Sequence, residues 1–331
     1  MSTSTSNINE RAMLVTLNIS MWTAQIGDSE AAKGAMRAIG ADETFESGSE
    51  TGRLTKFLID PKALGAGNKL AGAARKQHKK LTSPYSDDST RIIAAAGYRE
   101  YMEGMEEAER AYWTWYNDEF KPAYPGLVFK ARQTRRADFR GNEYPDFHLI
   151  DMETGTWRDN TPSTKLDRKF AFAVTPAPVP IANHFDGLIG VSDRDMRTIR
   201  EAAVADANSR IERAVGDVWG RMIVVVESMV ERLKVYGQPL VDGEGNETGK
   251  KAFFLDSLVT NISDLMEVVP ILNITGDPEI TRTAARIAEE LTHYSPEVLR
   301  KSTTTRSDVL RSAEDIMLSM RGTRRIVAQA A

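Results

Sequence analysis

The segment after Ser192 carries apolar residues at alternating three- and four-residue steps: Met196, Ile199, Ala203, Ala207, Ile211, Val215, Val218, Met222, Val225, Met229, Leu233 and Tyr236. That spacing is the seam of a coiled-coil helix, and no strand presents such a series on one face. Read as one continuous helix of roughly 40 residues, it measures about 60 Å, more than the diameter of a compact domain. Shorter helices of the same chain can cover only part of it, so part of the stripe is expected to be buried within the chain and part between chains.

The downstream sequence supplies that cover. The Gly-rich stretch from Gly237 to Lys251 reads as a flexible loop. After it, Phe254, Leu258, Ile262, Leu265 and Val269 begin a second striped helix able to fold back on the first and closed by Pro270. Asp277-Pro278 and Ser295-Pro296 each set a capping side chain ahead of a proline at the first helical position. Two shorter helices carry Ile280, Ala284, Ile287 and Leu291 on one and Val309, Ala313, Ile316 and Met320 on the other, separated by the polar run from Arg300 to Ser307.

Upstream, Asp60-Pro61 opens a helix through Leu81, Ser83-Pro84 with "SDDS" makes a turn, and a second helix from about Thr90 to Phe120 completes a helical hairpin. Val15, Leu17 and Ile19 alternate with Thr16, Asn18 and Ser20, the period of a half-buried strand. Phe170, Phe172 and Val174 repeat that alternation until "TPAPVP", whose prolines cannot donate ladder hydrogen bonds. These two runs are candidates to pair. The predicted fold is therefore mainly α: an elongated helical bundle with one long amphipathic helix and a small β-sheet. Residues 1–10 read as a disordered polar tail, 11–165 as a strand plus helical hairpin region, and 166–331 as a strand, the long helix and a C-terminal helical bundle.

Function is bounded mostly by exclusion. The chain of 331 residues has no cysteine, which removes disulfides, iron–sulfur clusters and thiolate zinc sites. With 43 Lys+Arg against 47 Asp+Glu the net charge is -4, so any nucleic-acid site must be a local patch. Apolar runs such as Met222 to Val226 fall far short of the roughly 20 residues that span a bilayer, and no membrane association is expected. "EGNETGKK" departs from a phosphate-binding loop at both decisive positions, with Glu244 for the first glycine and Lys251 for the magnesium-binding hydroxyl. As a calcium loop the same stretch has Glu247 where a glycine must turn and Phe253 where the bidentate glutamate belongs. His78, His148, His184 and His293 are scattered, and each reads as a surface or locally bonded histidine. Glu103, Glu106 and Glu107 read as a solvated helix face. No catalytic residue, cofactor site or metal site is identified.

Two basic clusters are candidates for nucleic-acid contact. Lys76 and Lys80 share a helix face with Lys69, and Arg75 and Lys79 lie beside them. Lys130, Arg132, Arg135 and Arg136 stand close to Phe129 and Phe139, a cation–aromatic mixture suited to weak, sequence-independent, salt-sensitive binding of single strands. The first cluster has a plainer use, complementing the acidic helix that follows it. In "YWTWYNDEF", Tyr112, Trp115 and Tyr116 read as core filling, whereas Trp113 falls off the stripe and is the candidate for an external contact.

Four segments, "NERAMLVTLNISMWTAQ", "FLIDPKALGAGNKLAGAAR", "PYSDDSTRIIAAAGYREYMEGM" and "NISDLMEVVPILNITGDPEI", resemble an uncharacterised family of tailed-bacteriophage proteins over most of the chain. The shared segments are structural punctuation and bring no catalytic residue with them. Members of such families are often encoded near a MoxR-type AAA+ ATPase and a von Willebrand A domain protein, so the resemblance implies a partner, and residence in the cytoplasm of the infected bacterial host. A von Willebrand A domain holds a divalent ion that a partner's carboxylate can complete, and Asp242, Glu244 and Glu247 are the carboxylates offered from a Gly-rich stretch. The expectation is a non-enzymatic, self-associating assembly or adaptor protein; the alternative is a DNA-associated replication or recombination accessory.

Overall fold

The computed structural model describes residues 8–38, 54–87, 89–134, 143–158, 165–180, 192–241, 243 and 247–330. In chain order these form α1 (Ile8–Arg11), β1 (Ala12–Ser20), β2 (Gln25–Gly27), α2 (Ser29–Ala38), β3 (Thr55–Phe57), α3 (Gly65–Leu81), β4 (Ser83–Pro84) and β5 (Thr90–Ala94). There follow α4 (Tyr98–Thr114), a π-helical turn (Trp115–Phe120), α5 (Lys121–Thr134), β6 (Ile150–Asp151), β7 (Thr156–Trp157) and β8 (Ala171–Pro178). The remainder is α6 (Asp193–Val235), β9 (Pro239–Val241), β10 (Glu247–Lys251), α7 (Ser257–Leu272), α8 (Pro278–Leu291), α9 (Pro296–Lys301) and α10 (Thr303–Ala330). The fold is mainly helical with small sheets, and α6 runs for 43 residues. Contacts divide the chain into two interleaved units, Met1–Thr16 with His78–Tyr101 and Thr175–Ala331, and Leu17–Gln77 with Met102–Val174.

The strand order β4-β5-β1-β8 makes the two sequence-predicted strands, β1 and β8, neighbours. β1 pairs antiparallel with β5, setting Ala12 opposite Ala94, Leu14 opposite Ile92 and Thr16 opposite Thr90. Here the structure corrects the helix expected from Thr90, since the helix begins only at Tyr98. Thr90, Ile92 and Ile93 are β-branched and favour extended backbone. Asp87 closes the preceding turn, its Oδ1 accepting from the Ser89 amide at 2.8 Å and the Thr90 amide at 2.6 Å. β8 continues through Pro176 and Pro178, past the predicted stop, because it lies at the sheet edge, where a missing N–H forfeits no ladder bond. Ile8, placed by the sequence reading in a disordered tail, is 6% exposed and packs in one core with Ala12, Leu14, Ile92, Ala214 and Ile274.

Ser192 caps α6, its Oγ accepting from the Asp195 amide at 3.2 Å. From Ala214 to Leu233 the buried face is broader than a coiled-coil seam, taking in Val218, Trp219, Met222, Ile223, Val226, Met229 and Val230. α10 lies antiparallel to this half: Lys234 pairs with Glu314 at 2.6 Å, and Glu227, two turns back, pairs with Arg321, two turns on. The predicted apolar sets of α8 and α10 are buried as expected. Asp277 and Ser295 cap α8 and α9. The polar run from Arg300 is helical except at Ser302, which separates α9 from α10 and caps the latter, its Oγ accepting from the Thr305 amide at 3.2 Å. α7 passes Pro270 and ends at Leu272. The loop expected between Gly237 and Lys251 contains a hairpin, with Glu247 opposite Val241 and Lys251 opposite Pro239. Two extended runs around a glycine-containing stretch are the sequence signal of such a hairpin.

The second unit is filled by aromatic side chains. Phe170 lies 4.6 Å from Tyr116, 5.3 Å from Phe120 and 6.2 Å from Trp115, centre to centre. α3 meets this cluster at Gly67, where a Cβ would stand 2.3 Å from the Trp115 ring, so only glycine permits the approach. Pro125 inside α5 deprives the Lys121 carbonyl of its helical partner, and the indole N–H of Trp157 donates to that oxygen at 3.0 Å. Buried tyrosines also spend their hydroxyls on backbone: Tyr112 on Ser20 O at 2.7 Å, Tyr124 on Pro145 O at 2.8 Å and Tyr144 on Leu58 O at 3.0 Å.

Candidate functional site

In the π-helical turn the Lys121 amide bonds back to the Tyr116 carbonyl, five residues away instead of four. The extra residue changes which side chains face out. Trp115, Tyr116 and Phe120 turn inward and are buried, while Asn117 and Asp118 join Trp113 on the outer face. There a groove of about 540 Å3 forms, lined by Trp113 with Glu106, Glu109, Arg110, Asn117 and Asp118. Three carboxylates against one guanidinium leave it with a formal charge of -2. The indole of Trp113 is half-buried and held edge-on between two buried rings, 5.3 Å from Tyr112 and 5.7 Å from Tyr116. Burial pushes the Tyr112 hydroxyl up to about 12. Tyr116 is raised further by burial and by Asp167, which accepts a hydrogen bond from its hydroxyl and pairs with Lys121 at 2.9 Å. Both tyrosines are therefore neutral, rigid supports. An acidic groove with an aromatic wall is suited to a cationic side chain accompanied by an apolar one.

The basic residues are dispersed. Lys69, Lys76 and Lys80 are exposed along α3, whereas Arg75 is engaged by the Ile19 carbonyl at 2.9 Å. Lys130 is exposed on α5, and Arg132 lies with its guanidinium 4.9 Å from the Phe147 ring. Arg135 and Arg136 lie outside the described residues, as do Asp242 and Glu244. Glu247 opens β10 and is exposed.

A second polar cluster, which sequence reasoning missed, is buried. The His78 Nε2–H donates to Ser89 O at 3.1 Å, which leaves Nδ1 to accept from the Tyr101 hydroxyl at 2.8 Å. Burial, with smaller contributions from Arg91 and Lys79, lowers its pKa to about 4 against the opposing bond to Ser89, so the ring is neutral. Arg91 donates to Thr82 Oγ1 at 2.7 Å and Thr82 O at 2.9 Å. Arg221 of α6 donates to the same Thr82 O at 2.8 Å and to Lys80 O at 3.0 Å, with Asp217 2.8 Å away. His78, Thr82 and Arg91 are each under 5% exposed, so the cluster holds α6 on β4 and is closed to ligands. Its sequence signal is faint: a histidine amid lysines, and arginines spaced far apart.

Among the described residues no group of His, Asp and Glu is placed to hold a metal ion, and no helix is long and apolar enough to cross a membrane. Comparison of the chain with protein-family models, curated proteins and solved structures returns no match.

Proposed function

We propose that the chain is a non-enzymatic assembly or adaptor component of a tailed bacteriophage, acting in the host cytoplasm through protein–protein contacts and self-associating through the first half of α6. The observation that carries this is the uneven cover of the long helix. From Ala214 onward its apolar face is buried, but Ile199, Ala203 and Ala207 are only half-buried and Val204 is 38% exposed. Alanines at 203 and 207 let a second helix approach closely over the stretch of about 12 Å from Ile199 to Ala207, the part of the stripe open to pairing of two copies. Sedimentation across 1–100 μM tests it: the wild type associates and Ile199→Asp with Ala203→Asp weakens association at least tenfold. A strict monomer over that range removes the reading.

A partner of the AAA+ ATPase or von Willebrand A kind would meet the carboxylates of Asp242, Glu244 and Glu247 or the face bearing Trp113. Pull-down in magnesium and in EDTA tests the metal-bridged form, which retention in EDTA would eliminate. The exposed line of Lys69, Lys76 and Lys80 favours one second reading, a DNA-associated accessory. On that reading oligonucleotide anisotropy falls steeply with salt, and reversal of Arg135 and Arg136 weakens binding more than reversal of Lys79 and Lys80.

A further inference from the structure

We propose that the groove at Trp113 receives the row Lys251, Phe253 and Leu255 of a second copy of this chain, a head-to-tail contact separate from the pairing of α6. Between β10 and α7 burial alternates. Lys251 is exposed, Phe253 is 66% exposed and Leu255 63%, whereas Phe254 between them is 3% exposed. Phe254 packs 5.1 Å from the Tyr236 ring under the Arg300 guanidinium, which also donates to its carbonyl at 3.0 Å. The inward residue thus fixes the segment, and the outward row is presented ready-made, with little ordering left to lose on binding. Two large apolar side chains this exposed, two positions apart, form a docking feature more than scattered surface.

The row and the groove match in charge and shape. Lys251 brings a positive charge to a groove of formal charge -2. An ammonium at Lys251 can sit among Glu106, Glu109 and Asp118 against the Trp113 face, while Phe253 lies along the indole. The groove, about 540 Å3 and open to solvent, leaves room for an extended row of side chains to lie along it. A second copy is the occupant because one chain carries both halves. As the two surfaces differ, the contact is heterologous, and its repetition gives a ring or a filament.

The proposal rests on the reading of the chain as self-associating, and a mixing experiment separates the two. In a background of Ile199→Asp with Ala203→Asp, one variant loses the groove (Trp113→Ala, Asp118→Ala) and another loses the row (Lys251→Ala, Phe253→Ser); circular dichroism verifies folding. Each variant alone is expected to sediment as a monomer, and the equimolar mixture as a 1:1 pair and nothing larger, weakening at least tenfold between 50 mM and 500 mM salt. If Trp113→Ala impairs folding, Glu109→Gln with Asp118→Asn replaces it. A mixture that stays monomeric, or a variant that still associates alone, overturns the head-to-tail contact whatever the α6 experiment returns.

Discussion

Acid should unfold this protein in a pH range set by one histidine. His78 is 2% exposed, and its pKa lies near 4 where an unburied imidazole has about 6.5. A histidine held neutral by folding binds its proton more readily when unfolded. Its contribution is therefore fully present above about pH 6.5, falls as the pH drops below that, and is exhausted near pH 4. The slope approaches about 1.4 kcal/mol per pH unit, so stability drops by about 2 kcal/mol from pH 7 to pH 5, toward a limit of about 3 kcal/mol. Protonation would also set a donor at Nδ1 against the Tyr101 hydroxyl and a cation beside Arg91, and neither can move into water. The assay is urea denaturation at pH 7, 6 and 5 for the wild type and His78→Gln. Gln lacks the titration, so the variant is weaker at pH 7 but loses almost nothing further by pH 5. Parallel curves for the two proteins would refute the reasoning and move the acid sensitivity to carboxylates.

Three further outcomes follow from packing. Trp157→Phe leaves the Lys121 carbonyl without its indole donor and should cost about 1–2 kcal/mol in thermal denaturation. Gly97→Ala would bring a Cβ to 2.1 Å from the Ile271 side chain and should cost about 1–3 kcal/mol, with part recovered by adding Ile271→Ala; additive losses would argue against the clash. On α6, Met222→Lys buries a charge at a fully covered position and should cost more than about 3 kcal/mol, while Val224→Lys, at 63% exposed, should stay within about 0.5 kcal/mol.

Helices with both a punctuated start and a periodic face were legible in the sequence. α8 and α9 begin where their caps predict, because a side-chain oxygen that satisfies a free amide is a local device. Thr90–Ala94 was misread because its five residues adjoin a strong helical pattern, and its strand identity depends on β1, more than 70 positions earlier. Trp113 stood out as the aromatic that the core did not need, but the residues joining it at the groove depend on an extra residue in one helical turn, which no simple period encodes. The buried histidine and arginines had no signature because their partners are backbone oxygens, which every residue owns.

The interleaving of the two units also sets a schedule for synthesis. Everything in Leu17–Gln77 and Met102–Val174 has been made before Thr175 is added, so that unit can close while the ribosome is still at work. The excursion from His78 to Tyr101 has no such option. Ile92 and Ala94 must wait for Ala214 and Ile274 to cover them. That delay spans roughly 120 residues to Ala214, or about 6–24 s at translation rates of about 5–20 residues per second. Through that interval the strand, though flanked by β4 and β1, lacks the part of its cover that Ala214 and Ile274 supply, and a transcript truncated before α6 would leave it so permanently.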